Sequence, residues 1–400
     1  MKVACVGGGP ASLYLSILLK LQDPRHEVAV YERHPKGTTY GWGVTYWPDM
    51  LETLERHDEP SARRILADSL CWRDGVAHVN GRTTVHSGDT GYAVSRHRLL
   101  GILADRAQEL GVQLEFDREV DGDSVPDADV VVAGDGARSR IRERHAESFG
   151  TRVSHGANRY IWLGTTRVFE AFTFSFVETA HGWIWCYAYG FGAEHSTCIV
   201  ECSEETWTGL GLHRLPQDVA LRLLERTFCD VLEGHPLLGR TDIEGHAQWQ
   251  PFATVTNERW AHGNVVLVGD AAHTTHYSIG AGTTLAMRDA MSLAQALGDA
   301  PRDGIGAALE RYGQERRRAL LPAQSAARLS AQWYENLTRY VTLEPEQMFA
   351  LLGQRHSPLL PHVPPQLYYR LDQAAGSLRA LRWLKQRVGS RLASALEQRR

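Results

Sequence analysis

The chain begins with MKVACVGGGPASLYLSILLKL, residues 1–21, in which a short apolar run passes through three glycines into a longer apolar segment. Residues 2–6 are predicted to form a buried parallel strand, and residues 11–21 a helix. EVAVYER, residues 27–33, adds a second strand and completes a βαβ unit. An α/β frame built on a parallel sheet is therefore expected.

The loop between this strand and this helix follows the dinucleotide-binding pattern G-x-G-x-x-G, with Gly7, Gly9 and Ser12 at the three glycine positions. The first glycine permits a tight turn, the second lets the backbone approach a pyrophosphate, and serine is nearly as small as the third glycine. Pro10 and Ala11 begin the helix, whose free amides and dipole would bind the same phosphates. The pattern alone is weak, but its place between strand and helix favours a nucleotide site over a plain glycine turn.

The end of the second strand carries the next candidate group. Glu32 is placed where a carboxylate accepts both hydroxyls of an adenosine ribose, and Arg33 follows it. The carboxylate would repel a 2′-phosphate, so FAD or NAD is favoured over a 2′-phosphorylated ligand. At this point the choice between FAD and NAD is open.

Two further turns indicate the longer of these cofactors. GDGARSRIR, residues 134–142, continues the buried strand predicted over 127–136, and GDAAH, residues 269–273, follows the apolar run NVVLV. A dehydrogenase needs only the first glycine loop, whereas a chain with three such turns can bind more of an extended cofactor. A helix is also predicted over 95–111, with a serine cap and a glycine stop.

The sequence changes character near residue 157, where alternating, aromatic-rich segments predict an antiparallel sheet inserted into the α/β frame. Two sets of alternating aromatic residues are expected to occupy one face each: Phe172, Phe174 and Phe176 on one, and Trp183, Trp185, Tyr187 and Tyr189 on another. A helix is predicted over 216–232. From about residue 283 the chain is mostly helical, with Pro322 interrupting one long segment.

The three turns together resemble those of the group A flavin hydroxylases, the relatives of para-hydroxybenzoate hydroxylase. GGGPAS resembles the FAD glycine loop of that family, DADVVVAGDGARSRIR its DG turn, and VVLVGDAAHTTHYSIGAGTTLAMRDA its GD turn. The resemblance implies non-covalently bound FAD, held by the glycine loop, by Asp135 and Asp270 in the two later turns, and by Arg96, which opens a helix beside the cofactor.

The resemblance also implies the overall fold. A Rossmann-like FAD-binding domain is expected to carry an inserted, mainly antiparallel substrate-binding sheet and a helical C-terminal region, as in para-hydroxybenzoate hydroxylase. The expected boundaries follow the chain in order: 1–156 for the first part of the FAD-binding domain, with a small substrate-side insertion at about 70–94; 157–250 for the substrate-binding sheet; 251–300 for the return of the FAD-binding domain; and 301–400 for the C-terminal helices.

The stretch GDAAHTTHYSIGAG, residues 269–282, carries much of the remaining predicted site. Gly280 and Gly282 let the backbone approach a flat ring. With Thr283 they begin a helix whose free amides, aimed at the flavin pyrimidine edge, would stabilise the negative charge of the reduced flavin.

Three residues are candidates for catalysis. His276 and Tyr277 are predicted to line the substrate pocket, and whether either moves a proton is open. Tyr277 stands where many family members have proline, and Thr284 where they have asparagine. A metal held by His273 and His276 is disfavoured, because the glycines beyond them indicate a turn and no third ligand is evident. Trp42, in GWGVTYW, either covers the flavin from a mobile loop between two glycines or is ordinary packing under that loop.

A narrower resemblance bears on the activity. GWGVTY at 41–46, the segment 158–185 and STCIVECSEETW at 196–207 resemble the salicylyl-CoA 5-hydroxylases and the hydroxylase half of 2-aminobenzoyl-CoA monooxygenase/reductase. The violacein-pathway hydroxylase, which acts on a tryptophan-derived compound, resembles these segments less fully. The resemblance implies a single-component monooxygenase: NADH or NADPH reduces FAD, O2 forms a 4a-hydroperoxyflavin, and its distal oxygen hydroxylates an electron-rich aromatic ring.

The expected substrate is an aryl thioester of coenzyme A or of a carrier protein, whose anionic tail Arg316, Arg317 and Arg318 could contact. Hydroxylation of a free or indolic aromatic compound is the alternative within the same chemistry. From other classes, a flavin dehydrogenase or oxidase without oxygen insertion and a non-catalytic flavoprotein stay open.

The composition and the apolar segments limit which classes of partner and which cell compartment are expected. The net charge of −4 gives no basic field for nucleic acid. The N-terminus lacks the long apolar region of a signal peptide and no stretch reaches the length of a membrane span, so a cytoplasmic protein without a membrane partner is expected. The six cysteines form no CxxC pair and are expected to be reduced. Monomer and homodimer are both open.

Overall fold

The computed structural model describes residues 1–39, 41–79, 81–121, 124–240, 247–300 and 304–376. The strands within these ranges are β1 (Lys2–Val6), β2 (Glu27–Tyr31), β3 (Gly43–Tyr46), β4 (Leu70–Val79), β5 (Arg82–Ser95), β6 (Gln113–Glu115), β7 (Val130–Ala133), β8 (Arg152–Thr165), β9 (Phe172–Thr179), β10 (Gly182–Gly190), β11 (Ser196–Cys202), β12 (Leu237–Leu238), β13 (Gln250–Thr256), β14 (Ala261–His262) and β15 (Val265–Leu267).

The helices are α1 (Pro10–Gln22), α2 (Pro48–Ala67), α3 (Arg96–Glu109), α4 (Arg140–Arg144), α5 (Ala146–Phe149), α6 (Glu204–Gly209), α7 (Gln217–Thr227), α8 (Cys229–Leu232), α9 (Gly282–Gly298), α10 (Ile305–Glu335), α11 (Pro345–Gly353) and α12 (Pro365–Gly376). Short 3-10 turns at Gly269–Ala271 and Tyr277–Ile279 lie between β15 and α9. Among the described residues, no helix combines the length and apolar character that a membrane span requires.

The first sheet has the order β14-β15-β7-β1-β2-β6, and all its pairs are parallel except that of β14 with β15. The central strands β1 and β7 are apolar and largely buried, as expected for a parallel sheet covered on both faces. Helix α1 packs against α3 and α9. The predicted βαβ unit and the α/β fold class are thus confirmed, although β2 ends at Tyr31, before Glu32.

The second sheet has the order β12-β8-β11-β10-β9-β4-β5-β3, with β13 paired to β8. Its pairs are antiparallel apart from β4 with β9. The predicted aromatic strands are present, but the assignment of their side chains to different faces is wrong. Tyr187 lies opposite Phe174 and Trp185 opposite Phe176, and residues directly opposite each other point to the same face. Both sets therefore form one aromatic face.

The C-terminal helices cover part of this aromatic face. Trp333 and Tyr334, at the end of α10, belong to the same buried cluster as Trp185 and Tyr187, while Tyr312, earlier in α10, packs with the parallel sheet. Helix α10 therefore joins the two cores.

Two helix predictions need correction. Pro322 lies inside α10 rather than interrupting it; a proline costs a helix one hydrogen bond, and packing of α10 on both cores offsets that cost. The segment predicted as one helix over 216–232 is divided into α7 and α8 at Phe228, whose backbone is not helical. The predicted domain boundaries stay predictions.

Candidate functional site

The glycine loop lies directly against the DG turn. Gly7 has a φ of +96°, and a side chain there would place its Cβ 2.5 Å from the carbonyl oxygen of Gly134. A Cβ on Gly134 would in turn lie 2.2 Å from Oγ of Ser12, the residue at the third glycine position. Gly9 caps α1 without a side-chain hydrogen bond, and Pro10 and Ala11 follow it. Among the described residues no side chain caps the amide donors of this first turn, so they can bind a phosphate.

Glu32 holds the glycine loop in shape. Its Oε2 accepts a hydrogen bond from the Gly8 amide at 2.7 Å, and its Oε1 accepts one from the His34 amide at 2.9 Å. A carboxylate has about four acceptor positions, so both oxygens keep capacity for ribose hydroxyls. Arg33 is exposed and donates to His34, which turns it toward the surface; its place in the cofactor site stays a prediction.

The DG turn holds a partly satisfied carboxylate. Oδ2 of Asp135 accepts a hydrogen bond from the Arg140 amide at 2.8 Å. Oδ1 is buried and has no hydrogen-bond partner in the part of the chain that the structure describes. Burial raises the pKa of Asp135, although hydrogen bonds from the Ser139 side chain and from nearby amides oppose the rise. A ligand hydroxyl would satisfy Oδ1, which fits the predicted contact with FAD.

A buried arginine that the sequence analysis did not single out joins the two later turns. Arg142 donates from Nη2 to the carbonyl of Ala137, at 2.7 Å, and from Nη1 to the carbonyl of Ala271, at 3.2 Å. Burial lowers its pKa, and Asp135 opposes that shift. In the sequence, the position of Arg142 within GARSRIR, next to the apolar Ile141, was the signal that could have indicated its burial.

Asp289, on α9, anchors the GD turn. Its Oδ2 accepts a hydrogen bond from the Gly269 amide at 3.0 Å. The same oxygen lies 2.9 Å from Nε2 of His273. Oδ1 of Asp289 accepts a hydrogen bond from Nε of Arg316 at 2.9 Å. Arg316 is thus committed to a buried ion pair, so the expectation that it contacts a substrate tail is wrong; Arg317 and Arg318 are exposed.

Arg96 and Asp270 lie close enough for their opposite charges to interact. Arg96 is the first residue of α3, where its Nε donates to Oγ1 of Thr39 at 3.1 Å. Burial lowers its pKa, and the nearby Asp270 carboxylate opposes that shift. Asp270 is solvent-exposed, yet the protein packed around it raises its pKa, and the Arg96 charge opposes that rise. The structure therefore brings together Arg96 and Asp270, both of which were predicted to contact FAD, and their opposite charges interact.

The start of α9 is open to a ligand. Gly280 has a φ of +61°, and a Cβ there would lie 2.6 Å from Oγ1 of Thr45. Gly282 begins α9 with no described atom within 4 Å of its Cβ position, and Ala281 caps the helix without a side-chain hydrogen bond. Thr283 is half-buried beside it. The amides of this turn can therefore face a flat, electron-accepting ring.

His276 and Tyr277 project from the same turn; their ring centroids lie 4.2 Å apart, and both rings pack near Phe252. Nδ1 of His276 lies 2.7 Å from Oγ of Ser278, and burial, together with the Arg355 charge, lowers its pKa to about 3. Tyr277 reaches the aromatic face, where its ring centroid lies 4.5 Å from that of Tyr160. His276 is therefore neutral at physiological pH, and it lies apart from the Asp289-bound His273.

Glu201, on β11, is a buried carboxyl group that the sequence analysis missed. It is 2% exposed and lies opposite Trp185 and Tyr160 in the register of the second sheet. It accepts hydrogen bonds from Nδ2 of Asn158, at 2.6 Å, and from the hydroxyl of Tyr277. An acidic residue inside the apolar strand STCIVEC was the signal that could have found it.

Trp42 packs against the second sheet. A Cβ on Gly164 of β8 would lie 2.5 Å from the Trp42 ring, and a Cβ on Gly41 would lie 2.9 Å from Trp162. Gly43 donates its amide to Oγ1 of Thr197 at 2.8 Å and begins β3. The glycines around Trp42 thus permit close ring packing and pairing with the sheet. That Trp42 also covers the flavin stays a prediction.

Comparison with known proteins agrees with this arrangement. The family described as FAD binding domain matches residues 1–325. Over 350 residues the chain is 37% identical to a salicyloyl-CoA 5-hydroxylase from a Streptomyces species, covering 85% of this chain and 66% of that protein. It is 35% identical to 3-hydroxy-4-methyl-anthranilyl-[aryl-carrier protein] 5-monooxygenase from Streptosporangium sibiricum, covering 84% of this chain and 90% of that protein.

One more distant relative by sequence and one by structure are also similar to the chain. Protodeoxyviolaceinate monooxygenase from Chromobacterium violaceum is 27% identical over 94% of this chain and 99% of its own length. The crystal structure of 2-methyl-3-hydroxypyridine-5-carboxylic acid oxygenase superposes with a TM-score of 0.69 at 20% identity, covering 84% of this chain and 91% of that one. From the family match and the two relatives above 30% identity, the chain belongs to the FAD binding domain family and is one of its FAD-dependent aromatic monooxygenases.

Proposed function

We propose that the protein hydroxylates the aromatic ring of an aryl thioester, using FAD, NADH or NADPH, and O2. One structural relationship carries the proposal. The turn between β15 and α9 places Asp270 near Arg96, at the end of the parallel strand β15, and Tyr277 on the aromatic face. A flavin ring seated on this turn would therefore have an aromatic pocket next to it.

The described residues suit FAD. The loop from Gly7 to Pro10 would hold the pyrophosphate, Glu32 the adenosine ribose, and Asp135 and Asp270 the hydroxyls of the ribityl chain. The amides at Gly282 and Thr283 would face the pyrimidine edge of the ring. Once bound and reduced by a nicotinamide, FAD supplies the activation of O2 that ring hydroxylation needs.

The protein itself contributes orientation, exclusion of water and polarisation of the substrate. Rings of Tyr160, Tyr187, Phe252 and Tyr277 lie within 4.5–6.4 Å of a neighbouring ring in this group, so they make a continuous apolar surface for a flat substrate. His276, neutral at physiological pH, can exchange hydrogen bonds but holds no positive charge there.

The names of the two closer relatives narrow the substrate class. Both act at ring position 5 of a benzoyl thioester that carries an oxygen or nitrogen donor at position 2. Position 5 is para to that donor, where electron density for an electrophilic oxygen is high. We therefore infer hydroxylation para to a hydroxyl or amino group that is itself ortho to the thioester carbonyl, with coenzyme A or a carrier protein as the tail.

A second candidate is hydroxylation of an indolic or other free aromatic metabolite. The similarity to protodeoxyviolaceinate monooxygenase, which extends over 94% of the chain, favours it. The two candidates differ in whether a thioester is needed, because only the first has a tail outside the ring pocket.

The test uses purified protein and measures product. Salicylyl-CoA, salicylate and an indolic acid are each supplied with NADH or NADPH under labelled O2, and hydroxylated product is identified by mass. Salicylyl-CoA is expected to give a product that carries one labelled oxygen, with little from salicylate. Oxidation without label in the product would favour a flavin dehydrogenase or oxidase. Protein that folds but takes up no added FAD would overturn the whole proposal.

A further inference from the structure

A chain of polar side chains connects the C-terminal region to the turn before α9. Arg355 follows α11, and its Nη2 donates to the carbonyl of Ser278 at 2.8 Å. Its Nε donates to Oγ of Ser330, on α10, at 3.0 Å. The family match ends at residue 325, so Arg355 and Ser330 reach the predicted flavin turn from a part of the chain that lies outside that match.

Two hydroxyl groups continue this chain to His276. Oγ of Ser330 lies 2.7 Å from Oγ of Ser278, which in turn lies 2.7 Å from Nδ1 of His276. Ser330 is fully buried, and His276 is 8% exposed. The path from the guanidinium to the imidazole is therefore continuous, with every neighbouring pair of atoms within hydrogen-bond distance.

The guanidinium at one end fixes the direction of these hydrogen bonds. Arginine has donors and no acceptor, so Oγ of Ser330 accepts from Arg355. The hydroxyl proton of Ser330 then has Ser278 as its acceptor, and the hydroxyl proton of Ser278 has Nδ1 of His276. With the opposite direction, the hydroxyl proton of Ser330 would have no acceptor among the described contacts.

The backbone supplies independent evidence for the same direction. The amide of Ser278 donates to Nδ1 of His276 at 3.4 Å, so a second donor is directed at this nitrogen. Burial and the Arg355 charge lower the pKa of His276 to about 3, so the imidazole is neutral and carries one proton. Because Nδ1 accepts, that proton lies on Nε2.

The second ring nitrogen of His276 is available to a ligand. In the part of the chain that the structure describes, Nε2 has no hydrogen-bond partner, yet it is not fully enclosed. The imidazole centroid lies 4.9 Å from that of Phe252 and 4.2 Å from that of Tyr277, two rings of the proposed aromatic pocket. The ring that carries the free N–H group therefore borders that pocket.

We propose that Arg355 is a positioning residue that fixes His276 as an Nε2–H donor for a carbonyl oxygen of a bound ligand. It acts through the hydroxyls of Ser330 and Ser278. Two bound groups bring such an oxygen, the flavin ring and the acyl group of a thioester. The second source rests on the proposed function, whereas the tautomer of His276 does not. A neutral donor orients a carbonyl oxygen without adding a positive charge to the pocket.

The first experiment determines the tautomer of His276 without ligand. The full chain, with histidine labelled in the NMR-active nitrogen isotope, is studied by NMR at neutral pH, and the His276 signals are identified by their loss in His276→Gln. Nε2 should carry the proton. Ser330→Ala interrupts the chain of hydroxyls but keeps the Arg355 charge. It should lower the ratio of Nε2–H to Nδ1–H about fivefold, the effect of losing one neutral hydrogen bond.

Ser325→Ala is the matched control. Ser325 is also a fully buried serine of α10, and its hydroxyl has no hydrogen-bond partner among the described residues. This variant should leave the tautomer ratio of His276 unchanged. A proton on Nδ1 in the unsubstituted protein, or equal ratios in Ser330→Ala and Ser325→Ala, would overturn the proposal while leaving the monooxygenase function intact.

A substitution at Arg355 tests the first donor directly. Arg355→Met removes the guanidinium but keeps an unbranched side chain of similar length. The ratio of tautomers should change in the same direction as in Ser330→Ala. An unchanged ratio would exclude Arg355 as the residue that fixes the proton on Nε2.

Ligands added one at a time identify the carbonyl oxygen. FAD is added first, without nicotinamide, and salicylyl-CoA second, and binding of each is confirmed by absorbance. A downfield shift of the Nε2 proton on addition of FAD would assign the acceptor to the flavin ring, and a shift only with salicylyl-CoA would assign it to the acyl carbonyl. If both bind and neither moves the signal, His276 is not the donor. Failure to take up FAD would instead contradict the proposed function.

Discussion

Nε2 of His273 lies 2.9 Å from Oδ2 of Asp289, so the GD turn is tied to the helix that follows it by a fully buried pair. The same oxygen accepts from the Gly269 amide, and the other oxygen accepts from Arg316 on α10. One carboxylate thus fixes the backbone of the turn against two helices. The geometry of the GD turn, where the flavin is predicted to bind, therefore depends on Asp289, which lies outside that turn.

Asp289→Ala should be strongly destabilising. It leaves Arg316 buried without its carboxylate partner and frees the Gly269 amide, and breaking such a buried pair costs about 3–5 kcal/mol. The free energy of unfolding, measured in denaturant without added FAD, should fall by that amount. Arg317→Ala, which changes the exposed neighbour of Arg316, should fall within about 0.5 kcal/mol of the unsubstituted protein. Equal stability of the two variants would contradict the anchoring role.

His276 should make the protein sensitive to mild acid. Burial lowers its folded-state pKa to about 3, below its ordinary value of 6.5. Between these values the unfolded chain binds the proton and the folded chain does not, so this contribution is full above about pH 6.5 and is lost as pH falls toward about 3. At pH 5 the loss is about 2 kcal/mol.

The measurement is unfolding free energy at pH 7.5 and pH 5 for the unsubstituted protein and for His276→Gln. The glutamine variant should lose about 2 kcal/mol less between the two pH values, since it has no imidazole to protonate. His57→Gln, at an exposed histidine, serves as the control and should behave as the unsubstituted protein does. A pH dependence that is identical in all three proteins would show that His276 does not titrate as inferred.

The sequence predicted the parallel sheet and its turns well because those signals are local. The apolar strand, the glycine loop and α1 are consecutive, so their relation follows from a few residues. Glu201 and Tyr277 are 76 positions apart, and their spacing in the sequence does not predict the hydrogen bond between their side chains. Likewise, Pro322 has an unfavourable local preference that tertiary packing overrides, and the common aromatic face follows from strand register, which the alternation of single strands does not fix.

Glu32→Ala should loosen the cofactor site at its adenosine end. The carboxylate accepts from the amides of Gly8 and His34, and a hydrogen bond to a charged group contributes about 1.5–3 kcal/mol. Losing the predicted hydrogen bonds to the ribose hydroxyls, together with the support of the glycine loop, should weaken FAD binding about 10- to 100-fold. Titration of apoprotein with FAD, followed by flavin fluorescence, measures this change. Glu27→Ala, on the exposed start of β2, should bind FAD normally; a matching loss there would point to a general effect of charge.

Gly164→Ala should displace Trp42, because the added Cβ would lie 2.5 Å from the indole ring. Overpacking of this kind costs about 1–3 kcal/mol of unfolding free energy. The cost should largely vanish in a Trp42→Ala background, where the clash is absent, so a double-mutant cycle isolates it. Gly192→Ala, with no described atom within 4 Å of its Cβ position, is the control. If Trp42 also covers the flavin, Gly164→Ala should raise the fluorescence of bound FAD; unchanged fluorescence with the stability loss intact would assign Trp42 to packing alone.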